Sequence, residues 1–244
     1  MAAARIHKTT ALVAMGFVLA AACLGGVALT KRGPDPLFLP EMAALPVTLT
    51  DGRKIYAQRY ELSVFEWNRC AEARACNITL RVRPDQDAAT TPATGLSYVD
   101  VQQYLIWIND LTGQNFRLPS ADEWQQMAVS VLPQAPEPLF TDPALAWASS
   151  YLTEGLSPRG LRPAGSFSTS PEGISDLDGS VWEWTMQCYD GGTGDAADRC
   201  PAYFVGGEHL AAMSYLVRDP ARGGCAVGNP PAHLGMRMVS DRPV

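Results

Sequence analysis

Histidine is scarce in this sequence, and cysteines never occur in the spacing of a zinc site. Of three histidines, only His209 and His233 lie beyond the first 32 residues, so a metal centre with three histidine ligands cannot form there. No Cys-x-x-Cys pair occurs, and no histidines alternate with the cysteines as in zinc-binding modules. These absences exclude a three-histidine iron centre and a structural zinc module.

Basic residues are few outside the N-terminus, and there is no internal repeat. The first 32 residues hold four Lys or Arg and no Asp or Glu, so the remaining chain carries 15 basic and 25 acidic residues. Such an acidic chain lacks the clustered cations that nucleic-acid binding requires, so we expect no nucleic-acid partner. The 244 residues suffice for a targeting segment and one domain of about 200 residues.

The N-terminal segment has the pattern of an export signal. A basic start with Arg5 and Lys8 precedes an uninterrupted apolar or glycine run over 11–29. Residues 1–32 are therefore predicted to be a cleaved signal peptide or an N-terminal membrane anchor, with lipidation at Cys23 as a third alternative. Each alternative predicts a periplasmic domain, free or anchored to the inner membrane. Residues 33–46 are rich in proline and predict a linker, followed by the domain at 47–244.

Cysteine use fits an oxidising compartment. Apart from Cys23, the disulfide candidates are Cys70, Cys76, Cys188, Cys200 and Cys225. The first two could close a small loop, and two of the remaining three are expected to pair. One thiol would then be left over.

Hydrophobic periodicity predicts an α+β fold with two main helices and many short strands. The best helix covers 97–112, with Ser97 as its N-cap and Gly113 at its end. A second helix starts at Ser120 and ends near Val131, and a short helix is predicted over 64–75. The predicted strands are 47–50, 55–63, 181–184, 203–205, 213–217 and 234–239.

The stretch Gly173–Trp184 combines two turns with a short alternating strand. On that strand, Glu183 and Val181 should face one side and the two tryptophans the other. Asp176, Asp178 and Glu183 lie within eight residues around a tight turn. Carboxylates and turn carbonyls suit Ca²⁺. Spacing alone favours the alternative, a capped turn with solvated acids.

Five segments in one order resemble the formylglycine-generating enzyme family, also called the sulfatase-modifying-factor domain. They include Arg-Leu-Pro at 117–119 before Glu123-Trp124, and Gly179 before Val-Trp-Glu-Trp. The five segments are 60–67, 96–101, 112–124, 173–184 and 234–239. The resemblance covers about residues 45–242.

This resemblance implies a C-type-lectin-like α+β fold that calcium steadies. The family's motif would assign side-chain oxygens to Asp176 and Glu183, and backbone carbonyls to Gly179 and Val181. With the resemblance, a calcium site is favoured over a bare turn.

Members of this family oxidise a substrate cysteine to formylglycine with O₂, using two cysteines five residues apart that hold Cu(I). The matching positions here are Ala211 and Leu216, which cannot ligate copper. We therefore predict no catalytic residues and no copper at that position, and lean towards a protein that is not an enzyme. His209 and Met213 are speculative soft donors for a weaker copper site, although a core role for the methionine is the favoured alternative.

The C-terminal part, with Phe204–His209 and Gly223–Gly228, is similar to NirV-type proteins linked to copper nitrite reductase in denitrifying bacteria. This similarity implies an exported accessory factor whose partner is copper nitrite reductase. Two alternatives stay open: a modifying enzyme or oxidase that uses a different site in the same groove, and a lectin-like binding module.

Overall fold

The computed structural model of the protein describes residues 36–132, 160–189, 200–219 and 233–244. All of these residues belong to one compact unit, Pro34–Val244. Within them a 3-10 helix, Pro36–Phe38, precedes three α-helices. The α-helices are α1 (Val64–Glu72), α2 (Tyr98–Thr112) and α3 (Ala121–Ala128). The short helix near residue 64 is thus a full member of the fold beside the two main helices.

Each α-helix starts with a capping box, in which a serine and an acid three residues later each accept a hydrogen bond from the other's backbone amide. The serine side chain accepts from the N3 amide, and the acid accepts from the serine amide. The pairs are Ser63 with Glu66, Ser97 with Asp100, and Ser120 with Glu123. Gly113 ends α2 in the left-handed conformation, with φ of 65°. The predicted caps of the two main helices are confirmed.

Seven strands form two small sheets. The first sheet has the order β1-β2-β7 and the second β5-β4-β3-β6. In the second sheet, β3 pairs antiparallel with β4 and parallel with β6, which places β3 in the interior of the sheet. The strands are β1 (Val47–Thr48), β2 (Lys54–Ala57), β3 (Val181–Cys188), β4 (Ala202–Gly206), β5 (Leu210–Ser214), β6 (His233–Gly235) and β7 (Val239–Ser240).

Strand β3 lies between two clusters of buried side chains. Trp182 and Trp184 belong to the larger cluster, together with α2 side chains such as Tyr104. Glu183 points the other way and contacts Trp124 of α3, which belongs to the second cluster. The predicted alternation along this strand is confirmed, and both faces of its first five residues are buried.

Several boundaries differ from the sequence prediction. The predicted strand 55–63 is a strand only over Lys54–Ala57, and the strand predicted at 181–184 continues to Cys188. Strand β5 starts at Leu210 rather than Met213, because its register with β4 pairs Gly206 with Leu210. The predicted strand 234–239 is divided between two sheets, since Met236–Met238 separate β6 from β7. The predicted linker belongs to the domain over its described part, because its apolar side chains, including Phe38 and Met42, pack against the larger core cluster.

No helix within the described ranges is long and apolar enough to span a bilayer. The apolar run at 11–29 lies outside these ranges, as does Cys23. The predicted export signal or anchor therefore stays a prediction.

Candidate functional site

The turn before β3 contains two aspartates that hydrogen-bond to a neighbouring loop. Asp176 adopts a positive φ of 68°, which is uncommon for a residue with a side chain. Its carboxylate accepts hydrogen bonds from the amides of Gly165 and Phe167, and Asp178 accepts from the amide of Ser168 at 3.0 Å. The two aspartates thereby fasten the 165–168 loop to the start of β3.

Glu183 is fully buried and paired with an equally buried cation, Arg237. The Arg237 Nη2 donates to Glu183 Oε1 at 2.8 Å, and Nε lies 3.0 and 3.2 Å from the two carboxylate oxygens. The Trp124 indole donates to Oε2 at 2.8 Å. Both oxygens of Glu183 are therefore in use within the protein, and Arg237 is its buried charge partner.

A further buried acid, Glu61, also lies near Arg237. Its side chain is buried, its Oε2 has no hydrogen-bond partner, and Arg237 Nη2 is 3.8 Å away. Burial raises the pKa of Glu61 to about 8, although the Arg237 charge opposes this rise. The charges of Glu61, Asp176 and Glu183 thus all act on a single guanidinium, and the group holds more acids than cations.

This arrangement fits a calcium ion only in part. A small cleft beside β3 is lined by Glu61, Asp176 and Val181, together with Pro92, Arg162, Pro163, Ala164, Phe167 and Ser180. The excess acid and the orphaned Glu61 oxygen suit a divalent cation, but the cleft is too narrow to hold a water molecule and Arg162 adds a positive charge to its lining. Glu183 does not line the cleft, and Arg237 and Trp124 engage both of its oxygens. No group of three His, Cys, Asp or Glu side chains in the described ranges is arranged to hold a metal.

Gly179 belongs to the same turn and is tightly enclosed. Its amide donates to the Asp176 carbonyl at 2.9 Å. A Cβ atom at this position would lie 2.7 Å from that carbonyl oxygen and 3.2 Å from the Phe167 ring. The predicted quartet is therefore spatially split: Asp176 and Val181 line the cleft, Gly179 lies in the adjoining turn, and Glu183 points at Arg237.

The two positions that carry copper-binding cysteines in the resembling family lie on and after β5. Ala211 is buried opposite Val205 of β4, whereas Leu216 is 62% exposed beyond the end of the strand. Neighbouring Gly207 lies so close to the Trp182 ring that a Cβ atom there would overlap it. Two apolar side chains of opposite exposure occupy these positions.

The proposed soft donors His209 and Met213 both pack against other side chains. Met213, Met236 and Met238 are all fully buried in the larger core cluster. His209 packs edge-on against Trp182, with ring centroids 4.7 Å apart. Cys225 lies outside the described residues. The core role of the methionines is confirmed.

Four of the five disulfide candidates form two bonds. Cys70 pairs with Cys76 at the end of α1, and Cys188 at the end of β3 pairs with Cys200. The sequence left the partner of Cys188 open among three cysteines, and the structure resolves it.

Sequence reasoning missed two elements of the site. Glu61 stands inside one of the five resembling segments but was given no role, because nothing local shows that it is buried near Arg237. The pair of Asp100 and Arg218 was also missed. Arg218 donates to both Asp100 oxygens at 2.7 Å and joins the end of β5 to the start of α2. These residues are 118 positions apart, so no local pattern could reveal the contact.

The fold and the motifs around β3 define a class of protein. The protein has the mixed helix-and-sheet fold of the formylglycine-generating enzymes, as the sequence predicts. Among solved structures, PvdO from Pseudomonas aeruginosa matches 82% of this chain and 92% of its own, with a TM-score of 0.51 and 16% identity.

The chain belongs to the sulfatase-modifying factor enzyme 1-like domain family, which it matches over residues 38–242. Among curated proteins, it is 27% identical over 193 residues to the formylglycine-generating enzyme of Mycobacterium tuberculosis. That match covers 64% of this chain and 59% of the relative, so less than two thirds of the relative's length is represented.

Proposed function

We propose that this chain is an exported, non-catalytic member of its family that assists the maturation of copper nitrite reductase. The observation that carries the first part is the pair Ala211 and Leu216 at the family's two cysteine positions. Neither a methyl group nor an isobutyl group can ligate Cu(I), which prefers thiolate, thioether and imidazole. The buried position of Ala211 and the core positions of the methionines support this proposal.

Copper binding with a restoring variant tests the non-catalytic part. The full chain and the double variant Ala211→Cys/Leu216→Cys are titrated with Cu(I) against a competing chelator. The double variant should gain Cu(I) binding, while the native chain should not compete at micromolar concentration. Tight binding by the native chain, or conversion of the cysteine of a substrate peptide to an aldehyde detected by mass spectrometry, would reject the proposal.

Copper loading tests the partner. Copper nitrite reductase stripped of copper is reloaded with and without this chain, and copper per subunit is measured by mass spectrometry over time. The proposal expects faster or more complete loading with the chain present. Equal loading at every chain concentration would argue for a different partner. The similarity of residues 204–209 and 223–228 to NirV-type proteins supports the choice of this partner.

We also propose that calcium binds at the cleft beside β3, which widens to admit the ion, with Glu61 and Asp176 as its acids and the backbone carbonyls of Val181 and of Gly179 in the adjoining turn as further ligands. Calcium would neutralise the acid excess around Arg237 and give Glu61 a partner. Glu183 would stay with Arg237 in this arrangement, because a carboxylate already held by a guanidinium and an indole has less affinity for an ion.

Thermal unfolding tests the calcium site. At a hundredfold excess over the dissociation constant, a ligand adds about 2.7 kcal/mol to the free energy of unfolding. For a domain of this size, that corresponds to a rise of roughly 5–10 °C in Tm. Glu61→Gln should abolish most of this rise and leave the chelated protein as stable or more stable. The control Glu72→Gln, an exposed acid on α1, should respond like the native chain. The same calcium response in both variants would contradict the assignment.

A further inference from the structure

A second pocket beside Glu61 is wider than the cleft at β3. It has a volume of about 120 Å³, and the carboxylates of Glu41, Glu61 and Glu66 line it. No lysine, arginine or histidine among the described residues lines it. A cavity of this size has room for more than one water molecule or for a small organic ligand. Because its charged groups are all acids, the ligand that suits this pocket is a cation.

Glu61 lacks a hydrogen-bond donor because the nearby guanidinium has none to spare. Arg237 Nη2 lies 3.8 Å from Glu61 Oε2. All N–H groups of this arginine are committed elsewhere. They donate to the Glu183 carboxylate and to the carbonyls of Gln58, Arg59 and Ser175. The buried Oε2 of Glu61 therefore has no partner, and an oxygen in this state favours a ligand that brings a donor.

The other two acids of the pocket differ in how their charges are balanced. Glu41 pairs with Arg59 at 2.7 Å, and both side chains are exposed. Glu66 Oε2 accepts from the amide of Ser63 at 2.8 Å and from its hydroxyl at 2.7 Å. Within the described ranges no cationic side chain donates to Glu66, and Arg69 acts on it through its charge alone. The charge of Glu41 is therefore offset, whereas that of Glu66 keeps the pocket negative.

The composition of the lining favours an organic cation over a metal ion. The three carboxylates all belong to described residues, and they do not converge into a group that could hold a metal. Tyr60, Ala89 and Pro92 also line the pocket, and such residues suit a short alkyl chain. A planar guanidinium is matched best by two parallel acceptors, whereas Glu61 offers one unpartnered oxygen. An ammonium group fits this single acceptor better.

From these observations we propose that the pocket binds a primary ammonium group on a short alkyl chain. The ammonium donates a hydrogen bond to Glu61 Oε2, and the charge of Glu66 adds electrostatic attraction. A free aliphatic amine and the lysine side chain of another protein both present this group. The site goes beyond the proposed role in maturation and does not depend on it. It shares Glu61 with the proposed calcium site, so calcium and the amine would compete for this carboxylate.

Isothermal titration calorimetry in the presence of a calcium chelator tests the pocket. The full chain is titrated with butylamine, with a short lysine peptide blocked at both ends, and with butan-1-ol, which has the same alkyl chain without the charge. We expect an amine to bind and butanol not to bind. Binding of butylamine alone would assign the site to a free amine, whereas tighter binding of the peptide would assign it to a protein side chain.

Two variants locate the binding. Glu61→Gln should weaken it about tenfold or more, since a hydrogen bond to a charged acceptor is lost. Glu66→Gln should weaken it about fivefold through the lost charge. The matched control Glu72→Gln removes an exposed acid of the same helix that does not line the pocket, and it should keep the native affinity. A cooperative thermal transition shows that each variant is folded.

The calcium response keeps this inference separate from the calcium proposal. Glu66 lines the pocket but not the cleft, so Glu66→Gln should lose amine affinity and keep its rise in Tm with calcium. Absence of binding by both amines, equal binding of butanol, or amine binding that Glu61→Gln leaves unchanged would overturn the proposal. Equal affinities of Glu66→Gln and Glu72→Gln would also reject the pocket as the place of binding.

Discussion

The buried pair of Arg237 and Glu183 gives the most direct test of how this fold is held together. We consider the substitution Arg237→Met, which keeps similar volume and removes the charge and all donors. It leaves Glu183 as a fully buried carboxylate without its cation. It also removes the donor from the carbonyls of Gln58, Arg59 and Ser175, which accept from Arg237 at 2.6 to 2.9 Å.

The expected cost is large compared with the stability of a domain. Removal of one partner from a buried ion pair costs about 3–5 kcal/mol. Total free energies of unfolding are about 5–15 kcal/mol, so the variant should lose a large part of its stability. Arg237→Lys keeps the charge but not the planar fork, so its cost should be intermediate.

Urea unfolding followed by tryptophan fluorescence measures this cost, because the buried Trp124 and Trp184 lie beside the pair and in the adjacent core. The matched control is Arg237→Met/Glu183→Gln, which removes both charges and still lets the residue-183 side chain accept from Trp124. We expect this double variant to be more stable than Arg237→Met by about 1–3 kcal/mol. The reasoning would be refuted if Arg237→Met cost less than about 1 kcal/mol, or if the second substitution made it worse.

Three further predictions follow from local geometry. Gly207→Ala should cost about 1–3 kcal/mol, since the added methyl group overlaps the Trp182 ring, while Gly160→Ala, which has open space, should be close to neutral in the same urea assay. Burial would raise the pKa of Asp100, but hydrogen bonds from Arg218 and Ser97 outweigh it and hold that pKa below its ordinary value. This contribution to stability is present above about pH 4 and is lost as pH falls through the lowered pKa. Asp100→Asn should therefore flatten the acid side of a stability–pH curve, and an unchanged acid slope would contradict the assignment. Opening the disulfide at the end of α1 by double Cys→Ser substitution should lower the free energy of unfolding by about 2 kcal/mol, because the closed loop is short. A loss above about 5 kcal/mol would mean that more than chain entropy is involved.

Much of the helical part of the fold could be predicted because its signals are local. The pair Ser97 and Asp100 closes a hydrogen-bonded ring over three residues, and Gly113 supplies the positive φ that ends the helix. Neither interaction depends on the rest of the chain. The strand 181–184 was predicted for the same reason, since alternation along it needs no knowledge of its neighbours.

The candidate site could be predicted only in part. The motif around β3 predicted that Asp176 and Glu183 both supply side-chain oxygens to calcium. The structure separates them: Asp176 fastens a loop and borders a cleft, while Glu183 neutralises Arg237. Glu61, which completes the acid excess, carries no local signal at all.

The sequence by itself determined where the helices begin, that sulfur is missing from positions 211 and 216, and that five cysteines beyond the N-terminal segment were available for disulfides. Only the tertiary structure decided that Cys188 pairs with Cys200, that Glu183 faces Arg237 across 54 residues, and that Glu61 is buried without a hydrogen bond to its Oε2. The physical reason is the separation along the chain between the groups that interact. Caps and turns are closed by groups a few bonds apart, whereas the partner and the burial of a charge depend on which distant segments pack against it.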